Sequence, residues 1–299
     1  MRASAAVAAL ALILTGTIST AAEQRLATGA YPEGLLWEKS RLLFNEMGAD
    51  TVSQISGGKK SVFWSEPGCG PTSIAAFSKT SYLVTCHLTK QIVELSNSGA
   101  LLRRLPAAND KVSLQSPNAS ISDGEGGVFF SDSGIFHSNA PATGRVYHVS
   151  ADGRLHLVLD NIKYANGVAF DSKSRTLFVS EHLGRRILAV VLDAKMNALS
   201  RKVFYDFATT LQTSAYTYTE AGPDGLALGD NFLVVAEYGS SRVHVIARSG
   251  HYLRTIRVPM AFVTTVVMGD GGELYIGGPH RNDVPPFEGI VVKLEKGEW

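Results

Sequence analysis

The chain has 299 residues, with 28 Lys plus Arg set against 27 Asp plus Glu, and holds two cysteines. A near-neutral chain without a basic run argues against a nucleic acid or an anionic membrane surface as its partner. Neither a Cys-x-x-Cys pair nor Cys/His spacing is present, which excludes a structural zinc module.

Residues 1–22 read as a secretory signal peptide: Arg2, an apolar stretch from Ala5 to Leu14, and the small residues Thr20-Ala21-Ala22 before a cleavage point. That stretch is short for a membrane span, and no later segment offers one. Residues 23–299 are therefore expected as one exported domain, secreted or periplasmic, without a membrane span once the leader is cut. The oligomeric state stays open.

Strand signals dominate the rest. Val62-Phe-Trp, Tyr82-Leu-Val-Thr, Gly127-Val-Phe-Phe, Thr176-Leu-Phe-Val, Phe232-Leu-Val-Val and Glu273-Leu-Tyr-Ile are short β-branched or aromatic runs. Turn clusters such as Ser96-Asn-Ser-Gly, Ala247-Arg-Ser-Gly and Gly269-Asp-Gly-Gly bound them. No helical periodicity competes.

A polar residue repeatedly opens an apolar run. Glu33-Gly-Leu-Leu-Trp, Asn166-Gly-Val-Ala-Phe and Asp224-Gly-Leu-Ala-Leu are the clear cases; Asn118-Ala-Ser, Thr72-Ser-Ile and Thr264-Thr-Val are looser ones. The six leaders stand 39, 46, 48, 58 and 40 residues apart. The better-defined units read as four strands joined by hairpins. Units of that size and composition predict an all-β fold, a six-bladed β-propeller with four-stranded blades around a central channel. A parallel β-helix needs shorter, more uniform rungs, and a sandwich does not explain the recurring leader.

In a propeller the first strand of each blade lines the channel, so the leaders converge. Glu33, Asn118, Asn166 and Asp224 are all oxygen donors, which suits a hard divalent cation. Calcium fits first, with zinc and magnesium as other candidates. Without a cation the two carboxylates repel each other and one has to hold a proton. Cys69 and Cys86 are 17 residues apart, flank the start of the second unit, and either form one disulfide or remain two thiols. Insertions at 133–145 and 208–222 are candidate walls of a binding face.

Residues 31–295 resemble the SMP-30/gluconolactonase family of metal-dependent propeller hydrolases. The resemblance rests on Tyr31-Pro-Glu-Gly, Ser116-Pro-Asn-Ala, Gly127-Val-Phe-Phe-Ser-Asp, Ala165-Asn-Gly-Val-Ala-Phe, Gly222-Pro-Asp-Gly-Leu-Ala-Leu and Thr264-Thr-Val-Val-Met-Gly. It implies that Glu33, Asn166 and Asp224 hold a metal, and that Asn118 adds a ligand or a substrate contact. Ala119 and Thr265 depart from the family pattern, which commonly has Asp and Asn there; they put its usual sugar-lactone substrate in question. Val179-Ser-Glu-His-Leu-Gly-Arg-Arg-Ile-Leu is also similar to strictosidine-synthase-like propellers.

The expected activity is hydrolysis of a lactone, a small-molecule cyclic ester. The metal would polarise the carbonyl, with Asp224, Asp132 or His87 as the general base. His87 and His182 follow strands in equivalent places; His87 matches a histidine common in gluconolactonase-like chains, and His182 is a candidate substrate contact. Two other readings are a biosynthetic propeller that opens, closes or isomerises a ring, and a non-catalytic binding scaffold with a structural metal. No Gly-x-Ser-x-Gly elbow, His-Glu-x-x-His, phosphate loop or dinucleotide fingerprint is present.

Overall fold

Short runs rich in Val, Ile, Phe and Tyr, cut every few residues by turn residues, pair as antiparallel hairpins because each strand has its neighbour next in sequence. The computed structural model describes residues 18–20, 23–105, 112–210 and 218–299. Most of the leader segment and residues 211–217 of the second insertion lie outside the described residues. Six antiparallel sheets follow one another along the chain, and the fold is the predicted six-bladed β-propeller. The innermost strands are Pro32–Glu38, Pro71–Phe77, Pro117–Ser122, Ala165–Asp171, Gly222–Leu228 and Thr265–Met268. Ile18–Thr20 adds a short parallel strand on the outer edge of the fifth blade.

The sixth blade takes its outermost strand from the other end of the described fold: Glu23–Ala30 pairs antiparallel with Glu288–Leu294. This closure was not read from the sequence. Its signal was present, because only three strands follow Thr264 while an unassigned β run precedes Glu33. The hydrophobic core is correspondingly a set of seams between neighbouring blades. Leu43, Val52, Ile74 and Val84 fill the seam of blades one and two. Leu42 and Phe44 meet Tyr275 and Val291 where blade one meets blade six, so the ring is closed by apolar burial as well as by pairing.

Five of the six innermost strands shift register at their start, between Pro32 and Leu35, Pro71 and Ser73, Pro117 and Ser120, Ala165 and Val168, and Pro223 and Leu226. Each irregularity spans the leader residue. A bulge of this kind re-aims one side chain out of the regular alternation, which turns the leader toward the channel. The glycine after it has a different cause. A Cβ on Gly34, Gly167 or Gly225 would stand 2.7, 2.1 or 2.7 Å from the carbonyl oxygen of Thr72, Asp224 or Thr264 on the next blade. The leader-glycine pairs are thus close-packing points between blades.

A second repeated device ties the second strand of blades one to four to the segment before the first strand. The end of that strand carries Glu46, Cys86, Asp132 and Glu181 in blades one to four. Glu46 accepts the Ala30 N–H at 3.1 Å, and Glu181 accepts that of Lys163 at 2.9 Å. Asp132 accepts N–H bonds from Gln115 (2.9 Å) and Ser116 (2.6 Å). In blade two the tie is covalent: Cys69 and Cys86 are disulfide-bonded, with Cα atoms 4.6 Å apart. Closing 17 residues constrains the unfolded chain by about 3 kcal/mol. The Cys69→Ser/Cys86→Ser double variant is accordingly expected to lose about that much stability in urea unfolding, and an unchanged midpoint would contradict it.

Candidate active site at the channel waist

The leaders meet at one level of the channel. Glu33, Thr72, Asn118, Asn166 and Asp224 line both a cavity of about 350 Å³ that runs down the innermost strands and a cavity of about 340 Å³ at one mouth. They form the waist between the two, and Thr264 borders the lower cavity. The two threonines spend their hydroxyls on the neighbouring blade's backbone: Thr264 donates to Pro32 O at 2.7 Å, and Thr72 lies 3.2 Å from Pro117 O and Asn118 O. Two carboxylates and two amides are left to face the channel.

Burial pushes the Glu33 carboxyl up to about 8. It also raises that of Asp224, with the Glu33 charge adding to it. Desolvation and mutual repulsion both disfavour the ionised pair. The amides are oriented by their donors. Asn118 gives its Nδ2 to Ser133 Oγ at 3.0 Å. The Asn166 amide and the Gly225 N–H pull the Asp224 carboxyl back down against its burial, while the Gly225 N–H itself donates to Thr264 O at 2.9 Å. With its nitrogen so engaged, Asn118 keeps Oδ1 as an acceptor, and both amides line the waist. The donor set fits a hard cation: it is oxygen throughout, and the carboxylate pair has an uncompensated cost that a divalent ion removes. Among the described residues no group of three or more His, Cys, Asp and Glu is gathered in metal-binding fashion, so any cation here rests on two carboxylates and amide oxygens.

His87 and His182 line the mouth cavity but differ in what their rings offer. His87 Nδ1 lies 3.1 Å from Pro117 O. A carbonyl only accepts, so Nδ1 carries the hydrogen and Nε2 keeps its lone pair. Burial lowers the His87 pKa, against the pull of that carbonyl, and holds the ring neutral. Both nitrogens of His182 face backbone carbonyls, Pro223 O at 3.1 Å and Glu220 O at 2.9 Å. Desolvation nevertheless brings its pKa down to about 4. His182 therefore presents ring carbon, not a nitrogen, to the cavity.

Asp132 requires a correction. It borders neither cavity, is buried, and spends its oxygens on the Gln115 and Ser116 N–H groups. Burial raises its pKa while those bonds lower it. It is the loop tie of the third blade, and Glu46 and Glu181 in the equivalent places show why an acid recurs there.

An aromatic collar above the waist was not identified from the sequence. Tyr31 and Tyr164 each precede a leader by two residues and adopt positive φ, 53° and 59°. In that left-handed conformation, uncommon outside glycine, both rings border the mouth cavity. The repeated pair Tyr31-Pro-Glu-Gly and Tyr164-Ala-Asn-Gly was the available signal. Phe136 and Tyr218 come from the two insertions, and Tyr238 occupies in blade five the place that a carboxylate or cysteine ties in blades one to four.

The SMP-30/Gluconolactonase/LRE-like region model matches residues 31–278. The chain is 31% identical over 146 residues to lactonase drp35 of Staphylococcus aureus (strain USA300), covering 46% of this chain and 41% of that protein. The chain thus spans about two fifths of the length of the curated relatives it matches. Among solved structures it is similar to a luciferin-regenerating enzyme (20% identity, TM-score 0.75, 93% of this chain and 96% of that one). It is also similar to regucalcin from Agrobacterium tumefaciens str. C58, described as a calcium-binding protein (17%, 0.74, 93% and 95%), and to the gluconolactonase XC5397 from Xanthomonas campestris (20%, 0.71, 91% and 89%). At these identities the structural likenesses establish the fold. Because the family model covers nearly the whole propeller, the chain belongs to the SMP-30/gluconolactonase/LRE-like family.

Proposed function

We propose that the waist and mouth form a lactone-hydrolysing centre that works with a bound divalent cation, calcium in the first place. The observation that carries this is the meeting of a half-buried and a buried carboxylate with two amides beside a neutral imidazole, in a cavity with no cationic side chain among its described lining residues. Glu33, Asn166 and Asp224 would hold the cation, with Asn118 adding an oxygen. Bound there, it supplies Lewis-acid polarisation of an ester carbonyl. The absence of sulfur and imidazole from this set favours calcium over zinc.

The chain's own residues supply the proton chemistry. Asp224 is assigned to the cation, and a carboxylate that binds a cation is a poor base. Among the described residues none engages His87 Nε2, which is the free acceptor. It takes a proton from the water that attacks the carbonyl carbon, and returns it to the ring oxygen as the acyl–oxygen bond breaks. Water and lactone then become hydroxy acid, with no other reactant. His87→Gln is expected to lower kcat about 10²–10⁴-fold with calcium affinity unchanged in calorimetry. An unchanged kcat would return the base to Asp224, and silence of the wild type on every lactone would overturn the reading. Export belongs to the same proposal: the leader would deliver the chain to an oxidising compartment in which the Cys69–Cys86 bond persists. Cell fractionation with and without residues 1–22 tests that.

A further inference from the structure

The collar and the waist differ in what they leave free to bind. Phe136 stands at the centre of the collar, 4.8 Å from Tyr164, 5.5 Å from His182 and 6.3 Å from Tyr238 between ring centroids, each pair edge-on. Tyr218 continues the wall at 5.8 Å from Tyr238. The ring faces and edges make one continuous apolar surface over one side of the mouth. Two of their hydroxyls, those of Tyr31 and Tyr238, are already committed. Tyr31 and Tyr238 share a hydroxyl hydrogen bond of 2.9 Å, and Asn282 Nδ2 donates to Tyr238 at 2.9 Å. His182 is neutral and donates its one N–H to a backbone carbonyl, with its other nitrogen also turned to a carbonyl and away from the cavity. No Lys or Arg is among the described residues lining this cavity.

These features select against two substrate chemistries. Against the collar a polyhydroxylated ring would exchange its water for aromatic faces and edges and for the Tyr31 and Tyr238 hydroxyls that already pair with each other, and unpaired hydroxyls are costly to bury. A lactone carrying a carboxylate or phosphate would find no cation on the wall to pair with. A flat, uncharged hydrocarbon or aromatic ring gains most there, through edge-to-face and stacked contacts with the collar. The cavity, at about 340 Å³, lies at the small end of ligand sites. Resting on the lactonase reading, we propose that this centre selects lactones fused to an aromatic or other flat apolar ring, with Phe136 as the specificity-determining contact, and disfavours sugar lactones.

The test compares 3,4-dihydrocoumarin with glucono-1,5-lactone on the full calcium-loaded protein, and separately measures binding of chroman, which has the same fused rings without the ester, by saturation-transfer NMR. Dihydrocoumarin is expected to be hydrolysed with a kcat/KM at least about a hundredfold higher. Phe136→Ala, a change at a solvent-accessible site, is expected to raise its KM about tenfold with little change in kcat, to leave the melting temperature unaltered, and to weaken the chroman signal. Equal or better turnover of gluconolactone, or a Phe136→Ala variant with unchanged KM, overturns the inference while leaving the lactonase reading intact. Chroman binding lost in Phe136→Ala without hydrolysis of either lactone supports the inference and sinks the lactonase reading. No chroman binding and no hydrolysis removes both.

Discussion

Asp224→Ala is expected to abolish stoichiometric calcium binding and to lower lactone hydrolysis about a thousandfold or more, the scale of losing several kcal/mol of carbonyl polarisation. The same substitution has the opposite sign on metal-free stability. In the apo protein Glu33 titrates near 8 instead of in the ordinary carboxylate range near 4, and Asp224 is raised as well. Between those values the folded state binds protons that the unfolded chain has released. By linkage its stability then falls as pH rises. Apo wild type should melt at a lower temperature at pH 8 than at pH 5, calcium should restore most of the loss at pH 8, and Asp224→Ala should shallow the apo profile by removing the Asp224 share and leaving that of the desolvated Glu33. Apo stability that climbs from pH 5 to pH 8 would show that the pair is not the desolvated, repelling one described.

Gly167→Ala should be the most damaging single-methyl change in the channel. Its Cβ would lie 2.1 Å from Asp224 O, inside any tolerable contact, on backbone that is itself held by a 2.7 Å bond from Ser180 Oγ. Relief requires the fourth and fifth innermost strands to separate, which moves Asn166 and Asp224 together. A cost of about 3 kcal/mol, the upper end for overpacking, predicts a melting temperature lower by about 6–12 °C and loss of calcium binding. Gly34→Ala and Gly225→Ala, with 2.7 Å contacts, should cost less. Ala119→Gly is the control, because blade three already accepts a Cβ at this place; its effect should stay within about 1 kcal/mol. Equal effects at positions 119 and 167 would refute the close-packing account of the leader-glycine pairs.

The architecture was legible because the leader repeats. One Asp-Gly is an ordinary turn, but Glu33, Asn166 and Asp224 before apolar runs of one length define a period, and the structure places all three at one waist. The glycine at these pairs suggests turn chemistry from the sequence, whereas in the structure it answers an interblade contact that only three-dimensional packing reveals. Asp132 misled because local sequence cannot tell a carboxylate aimed into the channel from one turned back on its own loop. That choice is set by the Gln115 and Ser116 N–H groups. The closing strand Glu23–Ala30 and the collar were missed for a common reason. Each gathers residues from distant parts of the chain: Glu23–Ala30 against Glu288–Leu294, and Tyr31 against Tyr238.

The most direct measurement is lactone hydrolysis by the purified protein before and after chelation, with calcium, zinc and magnesium added back separately. Activity that disappears with chelator and returns with calcium at one equivalent is the predicted result. Hydrolysis that persists undiminished in the chelated, metal-free protein would contradict the cation-dependent centre at Glu33, Asn166 and Asp224.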